Sequence, residues 1–116
     1  MMSALLEVPR ITDLDGLPVD VASSDELGVV AVTASAGDGA VVTLTWNEVA
    51  GSVSIRWLEA GDERLALERE IATKVSVCEE HGQVEFRVWS EADGLGGQLV
   101  VRVGEHVGVS DALLRK

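Results

Sequence analysis

Valine-rich runs separated by glycine-containing turns make up this chain from Leu27 onward. They recur roughly every ten residues, a spacing that is typical of antiparallel sandwiches and barrels. Among the turns, we predict a four-residue hairpin loop at residues 79–82 and a glycine-rich loop at residues 93–97. Aliphatic and polar residues alternate within the runs, as they do in half-buried strands. The residues that share an aliphatic face are Val42, Leu44 and Trp46 in one run, and Val53, Ile55 and Trp57 in the next. The pattern predicts a mainly β domain of about six to eight antiparallel strands, as a twisted sheet, sandwich or half-open barrel, with at most one short helix.

Two segments fit this pattern less well. Residues 63–72, ERLALEREIA, fit a strand through Leu65 and Leu67, but Leu67 and Ile71 also have helical spacing. We predict a strand, because the neighbouring segments are hairpins and an isolated helix of this length is marginal. Near the end of the chain, Ser110 is a suitable N-cap, which predicts a short helical turn over residues 110–115.

The chain has 116 residues, which fits one domain with one core. Residues 1–26 differ from the rest, since they hold both prolines and six acids against Arg10 alone. Because Pro9 and Pro18 disfavour a helix there, we predict an acidic extended N-terminal arm with an edge strand near residues 19–22. The antiparallel β domain then covers residues 27–116.

Charge and hydropathy exclude several classes of protein. Twenty acids against nine bases give a net charge of -11, which repels phosphate backbones and excludes nucleic acid as a ligand. We also predict no membrane span, because no apolar run approaches the roughly 20 residues that a bilayer requires. The first ten residues, MMSALLEVPR, lack the pattern of a signal peptide, which predicts a cytoplasmic protein. Abundant valine, alanine and glycine with few lysines indicate a bacterial source.

The groups that usually carry catalysis are scarce. Cys78 with His81, and Ser110 and Asp111 with His106, are the arrangements closest to a nucleophilic site, and each is better explained as strand and turn residues. Glu68, Glu70 and Glu85 are placed to pair with arginines on neighbouring strands. The sequence therefore favours a non-enzymatic protein, and we predict no catalytic residues, no metal site and no cofactor.

Trp89 is the most informative aromatic residue. In residues 84–90 the inward set is Val84, Phe86 and Val88, which leaves Trp89 on the outer face with Glu85 and Arg87. An outward tryptophan is a common anchor of protein interfaces. The other explanation is that Trp89 lies beneath the N-terminal arm or a second sheet layer. The predicted partner-binding residues are Trp89 and the acids of three loops, Glu59, Asp62, Glu63, Glu79, Glu80, Glu91 and Asp93.

A small, acidic, cytoplasmic β domain with these properties is similar to bacterial immunity proteins and other stoichiometric inhibitors. This resemblance implies a protein-binding module, and the net charge predicts that its partner is basic. Two alternatives remain open. One is a homo-oligomeric structural module that uses the Trp89 face, and the other is a small-molecule-binding barrel or small enzyme whose mouth is lined by Trp46 and Trp57.

Overall fold

The chain folds into two antiparallel β-sheets. The computed structural model describes residues 6–23, 25–92 and 95–115. A short 3-10 turn at Ile11–Leu14 precedes the strands. The strands are β1 (Asp20–Ser23), β2 (Val29–Ser35), β3 (Val41–Asn47), β4 (Ser52–Glu59), β5 (Asp62–Arg69), β6 (Ala72–Glu80), β7 (Gln83–Ala92), β8 (Leu95–Val103) and β9 (Val107–Arg115). Strands β1 to β5 form the first sheet and β6 to β9 the second, each in chain order. The mainly β, antiparallel fold is confirmed, with more strands than predicted.

The hydrophobic core joins the inner faces of the two sheets. Its largest fully buried side chains are Trp46, Phe86, Leu44 and Ile55. In β3, buried residues alternate with half-buried ones along the whole strand, as the sequence predicts. Trp46 is only 1% exposed, and Trp57 packs against the core. The two tryptophans therefore do not form the accessible mouth that the small-molecule hypothesis needs.

The ambiguous segment is a strand, as predicted, over residues 63–69, but it is not one strand to residue 72: a bend at residues 70–71 follows, and Ala72 begins β6 in the second sheet. β5 pairs antiparallel with β4, so that Leu67 lies opposite Ile55 and Glu68 opposite Ser54. The two leucines of β5 are half-buried and its acids are exposed. β5 is an edge strand that pairs on one side with β4, and this tertiary contact outweighs the helical preference of its residue types.

The predicted helical turn at residues 110–115 is wrong. These residues belong to β9, where Ser110 lies opposite Val100 and the pairing with β8 continues to Arg115. The preference of serine for helix N-caps is a local tendency, and the continuous backbone pairing of β9 with β8 outweighs it.

Two turns are shorter than the sequence suggested. The predicted four-residue loop at residues 79–82 is a two-residue hairpin, because Glu80 already pairs with Gln83. His81 and Gly82 both have positive φ, at 54° and 79°, as a tight hairpin turn of this type requires. The glycine-rich loop before β8 is also shorter, since Gly96 and Gly97 pair with β7 as strand residues.

The N-terminal arm packs onto the domain. Leu6 and Leu14 are buried in the core. Glu7 forms a parallel bridge with Lys74, in which its amide donates to Thr73 O and its carbonyl accepts from Val75 N. The arm therefore covers the outer edge of β6, which would otherwise expose unpaired backbone groups.

Successive hairpins alternate between the two ends of the sandwich. One end, called the Trp89 end, holds the β1–β2 and β3–β4 turns, the β5–β6 connection and the β7–β8 hairpin; there Ala72 N donates to Gly51 O at 3.1 Å. The opposite end, called the His106 end, holds the remaining turns. There Gly37 N donates to Gly104 O at 2.8 Å, and His106 Nδ1 lies 3.1 Å from Asp38 Oδ2.

Candidate functional site

Trp89 lies on the outer face of the second sheet. Val84, Phe86 and Val88 are buried in the core, while Trp89 is half-buried and lies outside the core cluster. The outward orientation inferred from the alternation in β7 is therefore correct. The side chain of Lys74, on the neighbouring strand, places its Nζ 5.2 Å from the centre of the indole ring.

A shallow hollow of about 290 Å³ adjoins the indole. Its lining consists of Thr73, Trp89, Ser90, Glu91, Gly96, Gly97 and Gln98. The pairing of β7 with β8 explains the space, because Ser90 and Glu91 lie opposite Gly97 and Gly96, which have no side chains. One side of the indole is thereby open to a partner of modest size, such as one or two side chains.

The immediate surroundings of Trp89 are more cationic than the sequence indicated. Glu85, expected beside Trp89 on a charged outer face, is only 7% exposed. Its carboxylate accepts hydrogen bonds from Nε of Arg87 and, at 3.0 Å, from Nε of Arg102. The hydrogen bond from Arg87 is the main cause that lowers the pKa of Glu85, with Arg102 adding to it. The charge of Glu85 is thus satisfied within the sheet.

The predicted acidic loops lie at opposite ends of the sandwich. Glu91 is close to Trp89, and Asp93 lies outside the described residues. The other five predicted acids are at the His106 end, namely Glu59, Asp62, Glu63, Glu79 and Glu80. Since β7 has 10 residues, the two ends are roughly 30 Å apart. The structure brings Trp89 together with Glu91 and separates both from the β4–β5 and β6–β7 acids.

Three of the acids at the His106 end have local partners. Glu59 Oε2 lies 3.2 Å from Arg64 Nη2, and Glu63 Oε1 lies 3.7 Å from Arg56 Nε. Glu80 Oε1 lies 3.7 Å from His81 Nε2. These contacts are solvent-exposed and therefore contribute little to stability.

The Trp89 end also carries exposed aliphatic residues that the sequence analysis did not single out. Leu27 is 86% exposed, Val49 is 66% exposed and Ile71 is 59% exposed. Leu27 and Val49 occupy turns, where glycine, asparagine and aspartate are the common residues. A search for aliphatic residues at turn centres, instead of acidic ones, would have found them.

Among the residues considered for catalysis, Cys78 is poorly suited to act as a nucleophile, and His106 contacts Asp38. Cys78 is exposed, and desolvation together with the nearby Glu85 raises the pKa of its thiol, which disfavours the nucleophilic thiolate. Within residues 6–23, 25–92 and 95–115, no group of three histidine, cysteine or acidic side chains is arranged to hold a metal ion. The same part of the chain contains no helix long and apolar enough to span a bilayer.

The fold resembles that of one chain in a solved toxin–immunity protein complex. No protein-family model matches the chain, and no curated protein matches it. A solved structure of a contact-dependent growth inhibition toxin–immunity protein complex from Klebsiella pneumoniae 342 contains a chain that superposes with a TM-score of 0.77. The superposition covers 97% of this chain and 100% of that one, at 13% sequence identity. The two chains share a fold across nearly their entire lengths.

Proposed function

We propose that this chain is a non-enzymatic, immunity-type protein that binds and neutralises a basic partner protein. The observation that carries the proposal is the fold shared with a chain of a toxin–immunity complex, at a TM-score of 0.77. In this proposal the protein acts in the bacterial cytoplasm, the setting that the sequence predicts. Its partner is a toxin, and inhibition is stoichiometric.

The charge of the chain supports the inhibitory role. A net charge of -11 on 116 residues produces a negative field that accelerates encounter with a positively charged protein. Complementary charge raises the association rate and also selects against acidic partners. The field thus favours a basic partner before any side chain makes contact.

Trp89 is the proposed anchor on the outer face. Its indole offers a large apolar area with little conformational entropy to lose, and the hollow beside it can accept a partner side chain. Glu91 lines that hollow and supplies a negative charge next to the ring. The acids at the His106 end lie far beyond the screening length of about 8 Å at physiological ionic strength, so their contribution at Trp89 is small.

The experiment is a binding and protection assay with the products of the adjacent genes. Each product is purified and titrated against this chain by calorimetry, and each is also expressed in cells with and without the chain. The proposal predicts that one basic product binds at a one-to-one ratio and that co-expression restores growth. An unrelated protein of similar size and isoelectric point serves as the control. If no adjacent product binds, or if one binds without any loss of toxicity, the proposal is wrong.

A further inference from the structure

We infer that the partner docks on the Trp89 end of the sandwich, where Leu27, Val49 and Ile71 form an apolar centre within a rim of carboxylates. These three residues are named the apolar end patch. The partner that fits the patch has an apolar contact surface surrounded by lysine or arginine side chains. This inference rests on the proposed function, and it specifies the docking surface and the chemistry of the surface that binds there.

Backbone contacts bring the three turns of the patch together. Glu48 N donates to Gly28 O at 2.9 Å, which joins the β1–β2 turn to the β3–β4 turn. A Cβ at Gly28 would lie 3.1 Å from a methyl group of Val49, so the two turns are in van der Waals reach. Ala72 N then donates to Gly51 O, which joins the β3–β4 turn to the β5–β6 connection.

The patch continues toward Trp89. Glu91 N donates to the carbonyl oxygen of Ile71 at 3.2 Å. Thr73 Oγ1 donates to the carbonyl oxygen of Trp89 at 3.2 Å, and Thr73 also lines the hollow beside the indole. One partner surface can therefore cover the three turns and reach the tryptophan.

The geometry of the two turns does not require aliphatic residues at Leu27 and Val49. Leu27 and Gly28 are the central residues of a turn in which Val29 N donates to Glu26 O, and the positive φ of that turn, 82°, is taken by Gly28. Leucine is not needed in such a turn, and at 86% exposure its side chain adds little to the core. Val49 lies at the centre of a turn closed by hydrogen bonds from Gly51 N and Ala50 N to Asn47. Exposed aliphatic groups clustered in this way mark contact surfaces.

The rim of the patch defines the charge of the partner. The acids at this end are Asp25, Glu26, Glu48, Glu70 and Glu91. The basic residues on strands that enter this end are Arg69 and Lys74, and Arg115 at the end of β9, which makes three against five acids. An apolar centre within a predominantly acidic rim complements an apolar centre within a basic rim. A second copy of this chain fits poorly, because its own acids would face this rim.

Two triple variants and their matched controls test the inference, and the probe is the adjacent-gene product that binds the wild-type chain. The first variant, L27S/V49S/I71S, removes the apolar centre. Its control, I11S/V109S, changes exposed aliphatic residues outside the patch. We expect the dissociation constant to rise at least about tenfold for the patch variant and less than about twofold for the control.

The second variant, D25N/E48Q/E70Q, removes three charges from the rim, and its control, D15N/D20N/E105Q, removes three charges elsewhere. Both change the net charge equally, so a difference between them reports the position of the charges. We expect the rim variant to slow association at low salt about fivefold relative to the control. Circular dichroism and thermal melting are recorded for every variant to verify folding.

The other outcomes overturn the inference in distinct ways. If the wild-type chain binds and both triple variants bind equally well, the docking surface is wrong while the proposed function stands. If E59Q/E63Q/E79Q reduces binding instead, the partner docks at the His106 end. If the wild-type chain is a dimer that L27S/V49S/I71S converts to a monomer, the occupant is a second copy. If the wild-type chain binds no adjacent-gene product, the proposed function and the inference are both wrong.

Discussion

Lys74 holds its ammonium nitrogen 5.2 Å from the centre of the Trp89 ring. The same nitrogen lies 3.6 Å from Glu7 Oε2, so the N-terminal arm helps to position the lysine over the indole. A cation at this distance is attracted to the negative face of the ring. The proposed anchor is thus already occupied on one face by a positive charge of the same chain.

This arrangement predicts opposite effects for two substitutions. A basic partner competes with Lys74 for the indole, so Lys74→Met should lower the dissociation constant about threefold by removing the competing charge. Trp89→Ala should raise it about tenfold or more by removing the anchor. Calorimetry with the adjacent-gene product measures both effects. Weaker binding by Lys74→Met would mean that the lysine contacts an acid of the partner, and unchanged binding by Trp89→Ala would remove Trp89 from the interface.

Glu85 supports a prediction about stability and pH. Glu85 is 7% exposed and its carboxylate accepts hydrogen bonds from two arginines, so Glu85→Gln should lower the free energy of unfolding by about 1–3 kcal/mol at neutral pH. The pKa of Glu85 is lowered in the folded chain, so its stabilising contribution is present above its unfolded pKa and is lost as pH falls through the folded value. The difference between wild type and variant should therefore shrink below about pH 4.

Urea titrations at neutral and acidic pH measure this difference. The matched control is Glu68→Gln, which neutralises an exposed acid of β5 and should change stability by less than about 0.5 kcal/mol. A stability difference for Glu85→Gln that stays constant from neutral pH to pH 3 would contradict the prediction.

The third prediction concerns Gly28, where the cost of a left-handed backbone can be distinguished from the cost of a close contact with Val49. Its φ is 82°, and an added Cβ would lie 3.1 Å from a methyl group of Val49. Gly39 has a φ of 92° with open space around the same position, and Gly16 has open space and no positive φ. Alanine at Gly39 should cost about 1–2 kcal/mol for the left-handed backbone alone, and alanine at Gly28 should cost more. Alanine at Gly16 should be close to neutral.

Chemical denaturation of the three alanine variants measures this order. Equal losses at Gly28 and Gly39 would mean that Val49 moves aside freely and that the β1–β2 and β3–β4 turns are not packed against each other. That result would also weaken the case for the apolar end patch, because the patch depends on the same contact.

The faces of the strands could be predicted from the sequence, whereas the ends of the sandwich could not. Alternation within β3 and β7 identifies Trp46 as a core residue and Trp89 as an outer one, because side chains on a strand have a period of two. Which turns share an end depends on the number of strands and on every hairpin between them. The sequence analysis therefore named Glu79 and Glu91 together as partner-binding residues, although they lie at opposite ends of the second sheet.

The local errors have a similar origin. Ser110 is a residue type that favours a helix N-cap, yet its backbone pairs with Val100 of β8. Residues 79–82 contain the glycine that is typical of a loop, yet Glu80 pairs with Gln83. In both places backbone pairing with a neighbouring strand outweighs a local preference. Leu27 was expected in a strand for another reason: an apolar residue beside a valine-rich run is most simply assigned to that run. In the structure it lies in the turn before β2 and is exposed.

The last prediction concerns self-association, which the homo-oligomeric alternative requires. A twofold dimer through the Trp89 end would bring each acidic rim against its copy, and a dimer through the indole face would oppose Lys74, Arg87 and Arg102 with themselves. Like charges at an interface cost several kcal/mol and are screened by salt. The chain should therefore sediment as a 12.3 kDa monomer at moderate ionic strength. Any weak dimer should appear only at high salt and should be lost in L27S/V49S/I71S. A stable dimer at low salt that L27S/V49S/I71S converts to a monomer would mean that the apolar end patch is used by a second copy and not by a basic partner.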